Sequence, residues 1–240
     1  MPPLSAALTR PEGNLRIELL LTNPLLVDHF GPIARALARR GHDPAFVCVP
    51  VAKGPVLGAE RKHALHASCM AAVSKADLPL RTRCDPTADV AITALGSNEL
   101  HLYQRCKVKL RYGVSLHRAA IHHNRAMSAG FDGLLVHGMF EYDLFSRWIA
   151  AERIEIMGIP RHDVHFQHPP SREVVRARWA IRAASVLSYF PTWSMQSSLH
   201  SHLPELIALS RRHLLLVKPH ALSRFAPKDR AALDALNLAG

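Results

Sequence analysis

Several cations and histidines of this chain stand where short apolar runs give way to polar loops. Val217-Lys218-Pro219-His220 closes the run Leu214 to Val217, and Tyr189-Phe190-Pro191-Thr192-Trp193-Ser194 closes the run from Ser185 to Tyr189. An apolar run ending in Pro-His or Pro-Thr reads as a buried strand whose C-terminal end opens into a loop. Open α/β sheets place their ligand sites there, which makes Thr192, Lys218 and His220 candidate site residues. A loop histidine with no ligand is the plainer reading of His220. Gly158-Ile159-Pro160-Arg161-His162-Asp163 follows a further strand. The planar fork of Arg161 suits a phosphate; an ion pair with Asp163 or another carboxylate is the alternative. His29 stands at the start of a helix, where the positive end of the dipole lowers its pKa, and a neutral imidazole can serve as a base. A surface histidine that caps or packs locally would look the same. His137-Gly138 ends another strand, and backbone amides at such a junction can hold an anion; alternatively, Gly138 only permits a tight turn.

Thirty Lys and Arg against nineteen Asp and Glu leave a formal charge of +11. That charge favours anionic partners, although a genomic bias toward Arg produces the same excess. A nucleic-acid partner is not expected. The basic stretches Lys107 to Arg111 and Arg172 to Arg182 carry no zinc-finger, RNP or helix-turn-helix signature, and the second reads as a solvated helix face. His162, His165 and His168 have HxxHxxH spacing in a proline-rich segment. That spacing does not define a tetrahedral zinc site, and helical HExxH is absent, so no metal or other cofactor is expected. Cys48, Cys69, Cys84 and Cys106 form no CxxC and read as free thiols in a reducing cytoplasm. No apolar stretch approaches the length of a membrane span. A cytoplasmic location is expected, with the charge allowing peripheral contact with the anionic inner face of the cell membrane.

The elements that must position these groups alternate strand and helix. Ile17 to Leu21 is an apolar run that suggests a central parallel strand. Phe30, Ile33, Ala34 and Leu37 then recur at helical spacing, with Asp28 as cap and Gly41 at the end. Ala45 to Val49 returns as a strand, so a right-handed parallel crossover is expected. Ala59 to Lys75 and Phe140 to Ala151 read as helices. Val90 to Leu95, Val108 to Tyr112, Leu134 to His137 and Ile154 to Met157 read as strands. The expected organisation is a disordered tail over 1–14, an α/β Rossmann-like domain over 15–158, a hinge over 159–171 and an incomplete second Rossmann-like domain over 172–240. The last comprises strand 185–191, helix 199–211, strand 213–218 and helix 228–237. A doubly wound domain normally needs about five or six strands. This half-domain is therefore expected to pack on the first domain or on a second copy, through Trp179, Trp193, Leu206 and Leu209.

The order and spacing of the three motifs resemble the CDP-glycerol glycerophosphotransferase family of teichoic-acid polymerase type, with its two-domain GT-B-like architecture. The resemblance covers roughly Arg16 to Leu222 and is specific in those motifs. It implies that Arg161 lines the cleft. It also implies that His220, aided by Lys218, stabilises charge developing on the leaving nucleotide. His29-Phe30-Gly31-Pro32 and Arg40-Gly41-His42 resemble patterns of nucleotide-sugar transferases. Where the family has His-Gly, with the His as base for the acceptor hydroxyl, this chain has Tyr112-Gly113. A tyrosine with a pKa of about 10 is a poor base, which leaves His29 or His117 for that role. The implied activity is transfer of a glycerol phosphate or sugar from a nucleotide-activated donor to a cell-envelope polymer acceptor. Two alternatives stand beside it. One is a non-catalytic truncated paralogue, or an anion- or nucleotide-binding module. The other is a nucleotide-sugar epimerase-like protein on the same fold.

Overall fold

The computed structural model describes residues 13–50, 59–95, 98–111, 130–192, 197–220, 223 and 226–239. Tyr112, His117, Trp193 and most of the tail expected over 1–14 lie outside the described residues. The chain divides into two compact units, Met1–Pro169 and Pro170–Gly240.

In the first unit, seven described strands form one sheet: β1 (Arg16–Leu21), β2 (Asp43–Cys48), β3 (Leu80–Arg81), β4 (Val90–Thr93), β5 (Cys106–Leu110), β6 (Gly133–Val136) and β7 (Ile154–Ile156). Their order is β3-β2-β1-β4-β5-β6-β7, and every neighbouring pair is parallel. The parallel sheet expected from the Ile17–Leu21 run is present. Strand order reverses between β1 and β4, and a ligand crevice opens outside the carboxyl ends of the strands at such a switch point. Alternation sends Ile17, Leu19 and Leu21 to one face, beside Phe46, Ile92 and Val108. Leu20 goes to the other face with Val47, Ala91 and Tyr103.

A 3-10 turn, Pro24–Leu26, leads into α1 (Val27–Arg39). The expected cap Asp28 lies inside the first turn instead. The Asn23 side chain accepts from the Leu25 amide at 2.9 Å, because the turn begins earlier at Pro24, where a missing N–H costs nothing. α1 ends where expected, and Gly41 takes a φ of +84° that favours glycine. α1 and α2 (Ala59–Lys75) bury Phe30, Ala34, Cys69 and Val73 against the Leu19 face. α3 (Met139–Phe145) stops well before the expected Ala151. The Phe145 carbonyl accepts from both Trp148 and Ile149, at 3.1 and 2.9 Å, which turns the chain. The Trp148 ring then packs edge-on against Phe145. Over the expected hinge lie a 3-10 turn, Pro160–His162, and α4 (Asp163–Gln167).

The second unit holds α5 (Arg172–Arg178), β8 (Val186–Tyr189), α6 (Leu203–Ser210), β9 (Leu214–Val217) and α7 (Pro227–Ala239). β8 and β9 pair in parallel. Leu199, Leu206, Ala232 and Leu236 form its core, with Tyr189, Leu215 and Val217 packed on them. Leu206 thus belongs to the unit's own interior rather than to an outer contact.

Candidate functional site

The carboxyl edge of the first unit's sheet gathers charge from four separate stretches of chain. α1 carries His29, Arg111 follows β5, His137 follows β6, and Arg161 and His162 follow β7. His29 is only 8% exposed. Arg161 Nη1 lies 3.0 Å from His29 Nε2, and Arg161 Nε donates to His162 Nε2 at 3.0 Å. Since guanidinium can only donate, the His29 nitrogen facing it is the acceptor. Burial first, then the charges of Arg161 and His137, lower the His29 pKa to about 4; Asp28 opposes them. The imidazole is neutral at pH 7. Burial and the neighbouring cations cause the shift.

This has a measurable consequence. The folded pKa of about 4 lies below the ordinary value of 6.5, so the unfolded chain binds the proton more tightly. Stability linked to His29 is complete above about pH 6.5 and is lost as pH falls toward 4. By pH 5 the loss should reach roughly 2 kcal/mol. Urea unfolding at pH 7 and pH 5 should show it, and His29→Gln should flatten the difference. An equal pH dependence in His29→Gln would sink this assignment.

Beside this pair, the Glu141 carboxylate is buried. Its Oε2 accepts from the His137 amide at 2.8 Å, with His137 Nδ1 3.1 Å away, and its Oε1 lies 3.4 Å from Arg111 Nε. Burial pushes the Glu141 pKa up, but the His137 hydrogen bonds and the Arg111 charge outweigh it and hold the carboxyl below its usual range. Arg111 also lies over the Phe145 ring, 5.3 Å from its centroid. The amide just before Gly138 is therefore taken by the chain's own carboxylate. Gly138 itself has an extended φ of −174° with open space around it, a conformation that does not require glycine.

A second group stands on this edge, in a stretch whose sequence reads only as basic. Lys109, only 4% exposed, stands beside Thr93 in the register of β5 with β4. Burial, and secondarily Arg111, lower its pKa to about 8. Its ammonium sits 5.7 Å from the Phe131 centroid. Just beyond β1, the buried Thr22 hydroxyl has no hydrogen-bond partner among the described residues. An orphaned hydroxyl is costly unless a ligand or water completes it. The available signal was the alternation Lys107-Val108-Lys109-Leu110-Arg111, which puts cations on one face of a strand.

In the second unit, Thr192 lies beyond the end of β8, and Lys218 and His220 lie beyond the end of β9; all three are exposed. The Lys218 amide donates to the Tyr189 carbonyl at 3.0 Å, so the two strand ends stand side by side and share one edge. The HxxHxxH histidines are differently engaged: the His162 and His165 rings are 6.3 Å apart, and His162 Nε2 is held by Arg161. Among the described residues no three His, Cys, Asp or Glu side chains converge as metal ligands.

No family model matches the sequence, and no curated protein matches it. Solved structures do match the fold. The UDP-GlcNAc 2-epimerase from Neisseria meningitidis bound to UDP-GlcNAc superposes with a TM-score of 0.55 at 7% identity, over 93% of this chain and 70% of that one. A putative UDP-N-acetylglucosamine 2-epimerase from Listeria monocytogenes gives a TM-score of 0.60 at 9% identity, over 95% of this chain and 67% of that one. The fold is thus the GT-B-like Rossmann type that the motif resemblance implied. The sequence comparisons lend no support to the glycerophosphotransferase family itself.

Proposed function

We propose that the protein binds a nucleotide-activated substrate and transfers its glycerol phosphate or sugar to a cell-envelope polymer acceptor. The observation that carries this reading is the contact of Arg161 with a neutral, buried His29 at the carboxyl edge of a parallel sheet. An incoming phosphate competes for the Arg161 guanidinium, since paired charge is worth more than a bond to neutral imidazole. His29 Nε2 is then released to accept a proton from the acceptor hydroxyl. Lys109, Arg111 and the unsatisfied Thr22 hydroxyl supply further anion contacts. Lys218 and His220, with Thr192, are assigned to the charge that develops on the leaving nucleotide. The polymer acceptor, and peripheral contact with an anionic membrane face, belong to the same proposal. Among the described residues no helix is long and apolar enough to cross a membrane.

Epimerisation of a nucleotide sugar is the second reading, and the fold neighbours favour it. Both are named as UDP-GlcNAc 2-epimerases, one of them bound to UDP-GlcNAc. The same neutral base and cations serve it, with a sugar carbon as the proton's source instead of a hydroxyl. A non-catalytic module that keeps the anion site is the third.

Thermal shift against CDP-, UDP- and GDP-linked sugars and polyols tests the shared premise. A donor at about 100 times its Kd should add roughly 2.7 kcal/mol of apparent stability. Arg161→Ala should remove most of that gain. If no donor raises the midpoint, or if Arg161→Ala responds like the unsubstituted protein, the proposal fails.

A further inference from the structure

A second basic edge lies at the opposite end of the two-stranded sheet, where β8 and β9 begin. Ser185, Ser210, Arg211, Arg212 and His213 help line a shallow pocket of about 420 Å³ there. The register that pairs Val186 with Leu214 brings Ser185 beside His213, and Ser185 Oγ lies 2.7 Å from His213 Nδ1. When the hydroxyl donates, the ring proton sits on Nε2, which is then a donor. No carboxylate lines the pocket. Residues 170–240 hold ten Lys and Arg against four Asp and Glu, so the surroundings reinforce the field.

Helix capping is the competing account of Arg211 and Arg212, because cations are favoured at a helix C-terminus. Two of the last carbonyls do not need it. The carbonyls of Ile207 and Leu209, in the last turn of α6, already accept from the backbone amides of residues 211, 212 and 213. The two guanidiniums have no ion-pair partner among the described residues. α5 adds to the same edge: Arg176 donates to the Ala183 carbonyl, and Ala183 is a lining residue. Trp179, just past α5, is 69% exposed.

We propose that this pocket is a phosphate-binding site, taking a phosphomonoester either free in solution or on a lipid headgroup. Arginine forks bind phosphate oxygens in bidentate fashion, and serine and imidazole donors complete the set. Cations clustered at a surface also suit an anionic headgroup layer. The site is independent of the carboxyl-edge chemistry proposed above.

The full chain carrying Arg161→Ala reduces the contribution of the carboxyl edge to the readout, and what remains of it is common to every variant compared. In that background, inorganic phosphate is titrated by calorimetry. Cosedimentation is measured with phosphatidylcholine vesicles, with and without phosphatidic acid. The double variant Arg211→Ser, Arg212→Ser should lower binding about a hundredfold or more, since two charge-assisted contacts to the phosphate are lost. Ser185→Ala, which removes one hydroxyl and leaves the charges, should lower it several-fold. Phosphate binding alone, lost in these variants, upholds a site for a soluble phosphate. Cosedimentation that needs phosphatidic acid, and is lost in the same variants, upholds the lipid source. The proposal is overturned by three results: no binding of either probe, an equal loss in Lys228→Ser, or binding of DNA in place of phosphate.

Discussion

Glu18→Ala should destabilise the first unit by about 3–5 kcal/mol, the cost of breaking a buried ionic network on one side. Glu18 sits in the middle of β1 with 0% exposure. Arg81 Nη1 reaches its Oε1 at 3.3 Å, and the Asp85 amide donates to both oxygens at 3.2 and 3.0 Å. The Tyr103 hydroxyl donates to Oε2. Burial, with the Cys84 and Glu18 contacts, pushes the Tyr103 pKa far up, so it remains a donor at any ordinary pH. Alanine removes the carboxylate acceptor of both that hydroxyl and the Asp85 amide, leaves Tyr103 with the weaker Cys84 sulfur, and leaves Arg81 its ion pair with Asp43, at 2.6 Å. Glu18→Gln preserves shape and one acceptor oxygen but turns an amide group toward donors, so its loss should be smaller. Urea unfolding of both variants measures this. A loss below about 1 kcal/mol for Glu18→Ala would mean that water reaches and satisfies the network.

Glu18 also marks what the sequence hides. The stretch Ile17 to Leu21 reads as apolar because four of its five residues are, and that was enough to find the central strand. The carboxylate within it belongs to a network that spans residues 18, 81, 85 and 103, which no local window contains. β3 escaped because two residues, Leu80 and Arg81, carry no period. The apolar spacing that reads as a Phe140–Ala151 helix continues through Trp148 and Ile149, but these pack as a turn after Phe145. The strand ends at Thr192 and Lys218-Pro219-His220 were legible, since proline followed by a polar residue interrupts a buried run. The place of His29 near a helix start was legible as well. Its partner was not, because Arg161 is 132 residues away in sequence and reaches it only through the order of the sheet. The buried Lys109 was hidden by its own charge: a basic stretch reads as surface until its alternation is followed through the parallel sheet.

His220→Ala should lower turnover by about 10²-fold or more, while donor affinity falls much less. The expectation rests on the transferase reading, in which His220 acts on charge present only as the nucleotide departs. Binding the donor does not create that charge, so truncating the imidazole affects kcat rather than the ground state. His220 is suitably exposed, beyond β9 on the same edge as Thr192 and Lys218. Arg161→Ala should behave differently. It removes a phosphate contact present in both ground and transition states, so the apparent donor affinity and kcat/KM should fall together. Single-turnover assays with CDP-glycerol and polymer acceptors, run beside an epimerisation assay with UDP-sugars, separate the readings. Transfer by the unsubstituted protein that persists unchanged in His220→Ala removes the role assigned to that residue. Conversion of UDP-sugars without transfer moves the function to epimerisation. Nucleotide binding that depends on Arg161, with no conversion of any donor, leaves a binding module whose carboxyl edge holds phosphate without turning it over.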